Sequence, residues 1–399
     1  MTGPRRILYL SPTAQLGGAE HSLLDLAAGL DRRRYEPRLL CLGAGPLLGE
    51  ASRRGVTTEV VAAPAAFVRT SLRGAPSSTL TLLGGLLRAM PTFVAVRRAA
   101  RRTSPLLVHS NGNKTHALSV PLALGAAPVV WHVRDFLPAR RLERLLVRFA
   151  NASVVAIIAN SSAVATHLAG LGARPGLVHA IPTGIDLARF GPQGPRAELR
   201  AAFGWPKETR VVGMVGVLAR WKGQEVFLTA AREIAARAPD VRFVIVGGEI
   251  YRTSGHGDFE PRLRRLAHEM RLDGVLAFAG HRDDMPEVLR GLDVVVHASI
   301  EPEPFGRVIA EAMACERPIV WARGGGADEV VGDTPLAALG VPRADPVSLA
   351  AAVERVLATP DEARGWAGEG RRRIVERFGV RRHVERVQDV YARVTAGRP

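Results

Sequence analysis

The 399-residue chain is too long for one compact core, and its 47% hydrophobic content is ordinary for a globular protein of two domains. Its two cysteines, Cys41 and Cys315, stand far apart in apolar surroundings, which argues against a disulfide framework or a zinc site and for a reducing compartment. The net charge of +16 is uneven: residues 1–185 hold 22 Lys+Arg against 8 Asp+Glu, and no acidic residue falls between Val60 and Arg134.

A basic half of this kind suits an anionic partner such as a membrane headgroup or a phosphate. Nucleic acid is not expected, because no helix-turn-helix, zinc finger or aromatic-plus-basic sheet signature occurs. Only Lys114, Lys207 and Lys222 are lysines, so coding bias toward arginine explains part of the composition but not the missing acids. No signal-peptide pattern precedes the first apolar strand. The longest apolar runs, Leu80–Val96 and Ala117–Trp131, are broken by Arg88 and Pro91 and by Pro121 and Pro128, so no membrane span is expected. The chain reads as cytoplasmic, with peripheral attachment at the inner face of the membrane through basic residues that include Arg88, Arg97, Arg101, Arg140 and Arg141.

In chain order, "RILYLS", "LVHS", "VVWHV", "VVAIIAN" and "LVHAIP" read as buried strands of a first half. "RVVGMVGV", "VRFVIVGG", "VLAFAG", "DVVVHAS" and "PIVWA" do so in a second half. Helical periodicity fills the gaps, as in Gly18–Leu30, Gln224–Ala238 and Pro261–Met270. This alternation predicts an α/β fold of two doubly wound parallel-sheet, Rossmann-like domains facing a cleft. The Pro- and Gly-rich stretch Gly184–Pro206 predicts the linker. The expected divisions are residues 1–186, residues 187–376, and a helix over 377–399 that returns to the first domain. No Gly-x-Gly-x-x-Gly follows the first strand and no Walker motif occurs, so neither a dinucleotide-binding nor a phosphate-loop fingerprint is present.

The most informative stretch is Glu301–Pro318, "EPEPFGRVIAEAMACERP". Phe305-Gly306 opens a predicted helix running to about Cys315, so Gly306 and Arg307 offer backbone N–H groups at the positive end of its dipole, where a diphosphate sits well. Glu311 lies five residues on, roughly 7–8 Å along the axis, about the separation of a nucleotide's phosphates from its ribose diol. Glu303, before the turn, points toward a sugar attached to that diphosphate. Asp283-Asp284 reads as a helix cap, and Cys315 as core.

This segment, "EPFGRVIAEAMACERPIVWARGGGADEVV", resembles the donor-site segment of the retaining GT-B glycosyltransferases of family 4 (group 1), which carry Glu-x-Phe-Gly, four residues, Glu-Ala-Met-Ala and a later Gly-Gly. The resemblance implies that Glu303 contacts the donor sugar, that the Phe305-Gly306 backbone meets phosphate or sugar, and that Glu311 binds ribose. "VVGMVGVLARWKGQEVFLTAA" resembles the strand, Gly-Arg-Leu and Lys-Gly of the family. Gly216 and Lys222 match, but the usual arginine is Val217, and Arg220 is the candidate to replace its charge. "LGGAEHSLLDLAAGL" places Gly17 and Gly18 against the diphosphate or acceptor, and "VVWHVRDF" places His132 near the reaction centre. Glu316 and Thr183 depart from a family Gly and Asn. On the acceptor side, His109 is either a buried strand-end histidine or an acceptor group, and Arg134 either an acceptor group or the partner of Asp135. Residues 62–105 and 250–258 match least and are expected to hold acceptor specificity.

The implied reaction transfers a sugar, with retention, from a nucleoside-diphosphate sugar (UDP- or GDP-sugar) to a hydroxyl acceptor, a lipid-linked or cell-envelope glycan. No other cofactor is implied. No Asp-x-Asp occurs, so a metal held by that motif is not implied either. Arg220, Lys222 and the helix dipole would stabilise the leaving diphosphate. A sugar-nucleotide epimerase of the same architecture and a non-catalytic sugar-nucleotide-binding scaffold remain open alternatives.

Overall fold

The computed structural model describes residues 3–64, 79–120, 127–249 and 258–396, with side chains in the second stretch from residue 90 onward. The Arg88 side chain, and parts of the two stretches expected to hold acceptor specificity, lie outside the described residues. The chain divides into two compact units, Met1–Gly184 with Val380–Pro399, and Ile185–Gly379.

The first unit holds strands β1 (Arg5–Ser11), β2 (Tyr35–Cys41), β3 (Thr57–Val60), β4 (Leu107–Asn111), β5 (Val129–Val133), β6 (Ala156–Ala159) and β7 (Val178–Ala180). They form one parallel sheet in the order β3-β2-β1-β4-β5-β6-β7. The second unit holds β8 (Arg210–Val215), β9 (Val241–Val246), β10 (Leu276–Gly280), β11 (Val294–His297), β12 (Ile319–Ala322) and β13 (Gly340–Val341). Their order, β10-β9-β8-β11-β12-β13, repeats the same winding. In each sheet the strand order reverses beside the first strand, between β1 and β4 and between β8 and β11. Ligands of such sheets usually bind at the carboxyl ends of the strands at this switch point.

The strands form as continuous apolar runs because helices cover both faces of a parallel sheet. One face of the first sheet packs Leu8, Val108 and Trp131, and the other packs Ile7, Tyr9 and Val130. The second face is covered in part by the helix Val380–Val394, whose buried His383, Val384, Val387, Val390 and Tyr391 form one stripe at helical spacing. Gly184 admits the start of that helix: a Cβ there would stand 2.6 Å from Val380 Cα. Among the described residues, no helix is long and apolar enough to cross a membrane.

Candidate active site

In the second unit, the chain leaving β8 passes Gly216 (φ +152°) and makes a 3₁₀ turn over Arg220–Lys222. Gly223 closes the turn at φ +78°, pressed so hard on the loop after β11 that a Cβ would lie 1.9 Å from Ala298 O. Only glycine fits both demands. The Ile300 N–H donates to Trp221 O at 2.9 Å, fastening the two loops together. Lys222 is thereby carried to Glu303, with Nζ 2.5 Å from Oε1. Ser299 Oγ donates to the same oxygen at 2.5 Å. His297 Nε2 is 3.0 Å from it, but off the line of a good hydrogen bond. Burial raises the Glu303 pKa, but the Lys222 ammonium and the His297 ring outweigh it and hold the carboxyl well below the usual carboxylate range.

Glu303 is also fixed through its backbone. Its N–H donates to Gly324 O at 3.3 Å and its carbonyl accepts from Gly326 N–H at 2.7 Å. A Cβ on Gly325 would meet Glu303 O at 2.2 Å, and one on Gly326 would meet Pro304 O at 2.3 Å, so this glycine run is required for close backbone packing. Phe305 buries its ring against Phe378, centroids 5.9 Å apart. Gly306, left-handed at φ +91°, then caps the helix Arg307–Ala314. One turn in, Arg307 Nε donates to Glu311 Oε1 at 2.6 Å, both side chains largely buried.

The first unit builds a different centre at the ends of β4 and β5. Asn111 stands opposite His132 in the register, and His109 opposite Val130, so both histidines share the face that carries Tyr9. His109 Nε2 is 3.2 Å from His132 Nδ1, and His109 Nδ1 is 2.7 Å from the Tyr391 hydroxyl. Arg134 Nη2 is 3.2 Å from the same His132 Nδ1, while its Nε donates to Asn111 Oδ1 at 2.6 Å. Burial, then the Arg134 charge, pushes His109 and His132 well below the usual histidine range. Both imidazoles are neutral at physiological pH. Gly17 and Gly18 open the helix Gly18–Gly29, where the Glu20 carboxylate accepts the Gly17 N–H at 3.1 Å. Gly17 is extended (φ −120°), a conformation open to any residue, so its backbone does not itself demand glycine.

The structure therefore joins Lys222 to Glu303 and Arg307 to Glu311, and His109 to His132 and Arg134. Arg220 stands apart: exposed, with no ion pair among the described residues. His109 is fully buried, behind His132. Asp284 sits at a helix N-cap as expected, but its carboxylate pairs with Arg282 rather than capping. His297 and Ser299 were not singled out by sequence, although a His and a Ser closing the apolar run "DVVVHAS" mark a strand end facing a site. Tyr391 carried no such signal, since a tyrosine in an apolar helical stripe reads as core. Among the described residues, no cluster of three His, Cys, Asp or Glu side chains is arranged to hold a metal.

Comparison with known proteins identifies the family and the fold. The family profile "Glycosyl transferases group 1" matches residues 195–373, and "Glycosyltransferase Family 4" matches residues 16–189. The D-inositol 3-phosphate glycosyltransferase of Saccharomonospora viridis is 35% identical over 60% of this chain and 56% of its own length. That of Mycolicibacterium gilvum is 31% identical over 83% of this chain and 77% of its own. The chain thus spans only a little over half the length of some curated relatives it matches. Among solved structures, Anabaena HepE in complex with UDP-glucose superposes with a TM-score of 0.82 at 25% identity, over 98% of this chain and 100% of that one. From the two family profiles, the Mycolicibacterium relative and the two like-wound parallel sheets together, the chain belongs to the group 1 glycosyltransferases of family 4 and has the GT-B fold.

Proposed function

We propose that the protein transfers a sugar, with retention of configuration, from a nucleoside-diphosphate sugar to a hydroxyl acceptor. The observation that carries this reading is the convergence of Lys222, Glu303 and the Gly306 helix start at the switch point of the second sheet. The diphosphate would lie against the N–H groups of Gly306 and Arg307, beside Lys222. Among the described residues, the side-chain contacts of the Glu303 carboxylate fall on Oε1, which leaves Oε2 to the donor sugar's hydroxyls. Glu311, steadied by Arg307, would accept from the ribose diol. Arg220, whose charge no acid offsets among the described residues, would supply the cation missing at Val217. As the C1–O bond breaks, negative charge grows on the leaving phosphate, where these cations act most strongly. The departing oxygen would take the acceptor proton on the same face, and His132 would orient the sugar.

For the donor, UDP-glucose is the first probe, since HepE is seen bound to it. For the acceptor, the basic first unit favours a phosphate-bearing hydroxyl compound, and the relatives named for D-inositol 3-phosphate make that compound the first to try. A lipid-linked acceptor is favoured by one surface. On the helix Arg141–Ser153, Leu142, Leu145 and Phe149 are 40%, 48% and 57% exposed beside Arg141, Arg144 and Arg148. Such a face suits attachment to an anionic bilayer. Vesicle flotation that finds no binding even at low salt would withdraw this attachment.

Incubation with a panel of sugar nucleotides, with and without acceptor and with EDTA, tests the whole reading by mass. Nucleotide release that needs acceptor and survives EDTA is the expected result. Interconversion of the donor alone would mean an epimerase, and binding without turnover a scaffold. Loss on chelation, restored by magnesium, would mean a missed metal site.

A further inference from the structure

We propose that Tyr391 and His109 are positioning residues that, with Arg134, lock His132 in the Nε2–H tautomer, so that this ring meets its ligand only as a neutral hydrogen-bond donor. The proposal rests on the reading of His132 as a ligand-facing group and adds how its proton is placed. The Arg134 guanidinium has donors and no acceptor, so the His132 Nδ1 that it approaches at 3.2 Å must offer a lone pair. A neutral imidazole carries one proton, which then sits on Nε2.

The chain of hydrogen bonds continues through the sheet. His109 Nε2 also faces His132 Nδ1 at 3.2 Å, and two opposed lone pairs would repel, so Nε2 carries the His109 proton and donates. His109 Nδ1 is then an acceptor, and the Tyr391 hydroxyl donates to it at 2.7 Å. Tyr391 in turn accepts from the Tyr9 hydroxyl at 3.2 Å. Both histidines and both tyrosines are buried, and burial together with Arg134 keeps both imidazoles uncharged. His383 lies beside His132, ring centroids 5.8 Å apart, with Nδ1 donating to Pro182 O at 2.7 Å. His132 Nε2 is buried and has no hydrogen-bond partner among the described residues. A buried donor of that kind is a group kept for something outside the unit.

The lock gives His132 one role. It can donate to a ligand oxygen, but it has no lone pair at Nε2 and cannot take a proton from an acceptor there. Tyr391→Phe keeps the ring and removes only the hydroxyl. His109 is then free to move its proton to Nδ1, which turns a lone pair toward His132 Nδ1 and sets its demand for a proton there against the Arg134 donor.

The test is nitrogen NMR on the full chain labelled at histidine ring nitrogens, read on the free protein and with saturating UDP-glucose. Wild type should show His132 protonated at Nε2 only, and the Nε2 signal should move when UDP-glucose binds. Tyr391→Phe should show mixed tautomers at His132, with kcat down about 10-fold, the scale on which losing a group that orients a functional histidine acts, and KM for the donor within about twofold. Tyr9→Phe removes only the outermost link and should keep the wild-type tautomer. A His132 proton on Nδ1 in wild type, or an unchanged tautomer in a folded Tyr391→Phe, overturns the lock. A wild-type His132 signal unmoved by UDP-glucose removes the ring from the donor site and overturns the role, whatever the tautomer.

Discussion

At the ends of β4 and β5 the first unit presents His109 and His132, uncharged and enclosed. After β8 and β11 the second unit presents Lys222 and Glu303, an ion pair held by two loops. The strand order around both places is the same. The winding of the sheet therefore sets where a site lies, and the residues at the strand ends decide which chemistry it can hold. Fixed neutral donors suit a sugar's oxygens and leave protonation states alone. Fixed charges suit a diphosphate, whose charge grows during reaction.

The largest effects are expected among the cations. Arg220→Ala and Lys222→Ala should each lower turnover by ~10²–10³, the cost of one lost contact to developing charge. The double variant should be less than additive if both serve one phosphate. Val217→Arg should restore activity in the Arg220→Ala background. Near wild-type turnover in Arg220→Ala would leave Lys222 as the working cation and Arg220 as a solvated loop residue. Next comes Glu311→Ala, which should weaken nucleotide affinity by ~1–3 kcal/mol with the fold intact. Unchanged affinity by calorimetry would remove Glu311 from the donor site.

Acid should separate the two units. Burial pushes His116 and His383 in the first unit to about 3 from the ordinary 6.5. Below 6.5 the unfolded chain takes up protons that the folded one refuses, so their contribution is complete above that pH and shrinks down to about 3. The sign for Glu303 matches but its window is lower, because a depressed carboxyl stabilises above its unfolded value and loses that only as pH falls through the folded one. Thermal melts from pH 7 to 3 should show a flatter acid limb in His116→Phe, where the stack on Trp131 is kept. An identical limb would mean that this histidine is not held neutral. The smallest effect is at Glu316, left-handed at φ +53° where the related family has glycine. Its ion pair with Arg371 spans 3.5 Å and is partly exposed, so little opposes a gain of about 1 kcal/mol in Glu316→Gly. That gain should appear in the second unit's unfolding transition alone.

The apolar strands of both sheets were legible because a strand covered on two faces is apolar throughout. β2 was not, since Pro37 and alternating charges interrupt "YEPRLLC", and the four-residue β3 and two-residue β13 are too short to show a pattern. At the site, the resemblance pointed to Glu303 and Lys222 as separate ligand groups. That they pair depends on the close contact at Gly223, which no local signal records. Tyr391 was hidden for a similar reason. Helical periodicity marks the buried stripe of Val380–Val394, but the partner of one hydroxyl in that stripe is set by the register of β4 on β1, far away in sequence.

The helix Val380–Val394 also has a consequence for synthesis. The second unit is one unbroken stretch, Ile185–Gly379, and is complete while the first still lacks a piece. Until residues 380–394 leave the ribosome, the core around Ile7, Tyr9 and Leu23 lacks part of its cover, and His109 lacks the Tyr391 hydroxyl. The unit translated first should thus be the one finished last, reversing the usual order of folding along a nascent chain. A chain stopped at Gly379 should show it, with protease cutting the first unit and sparing the second; equal resistance of both would refute the delay.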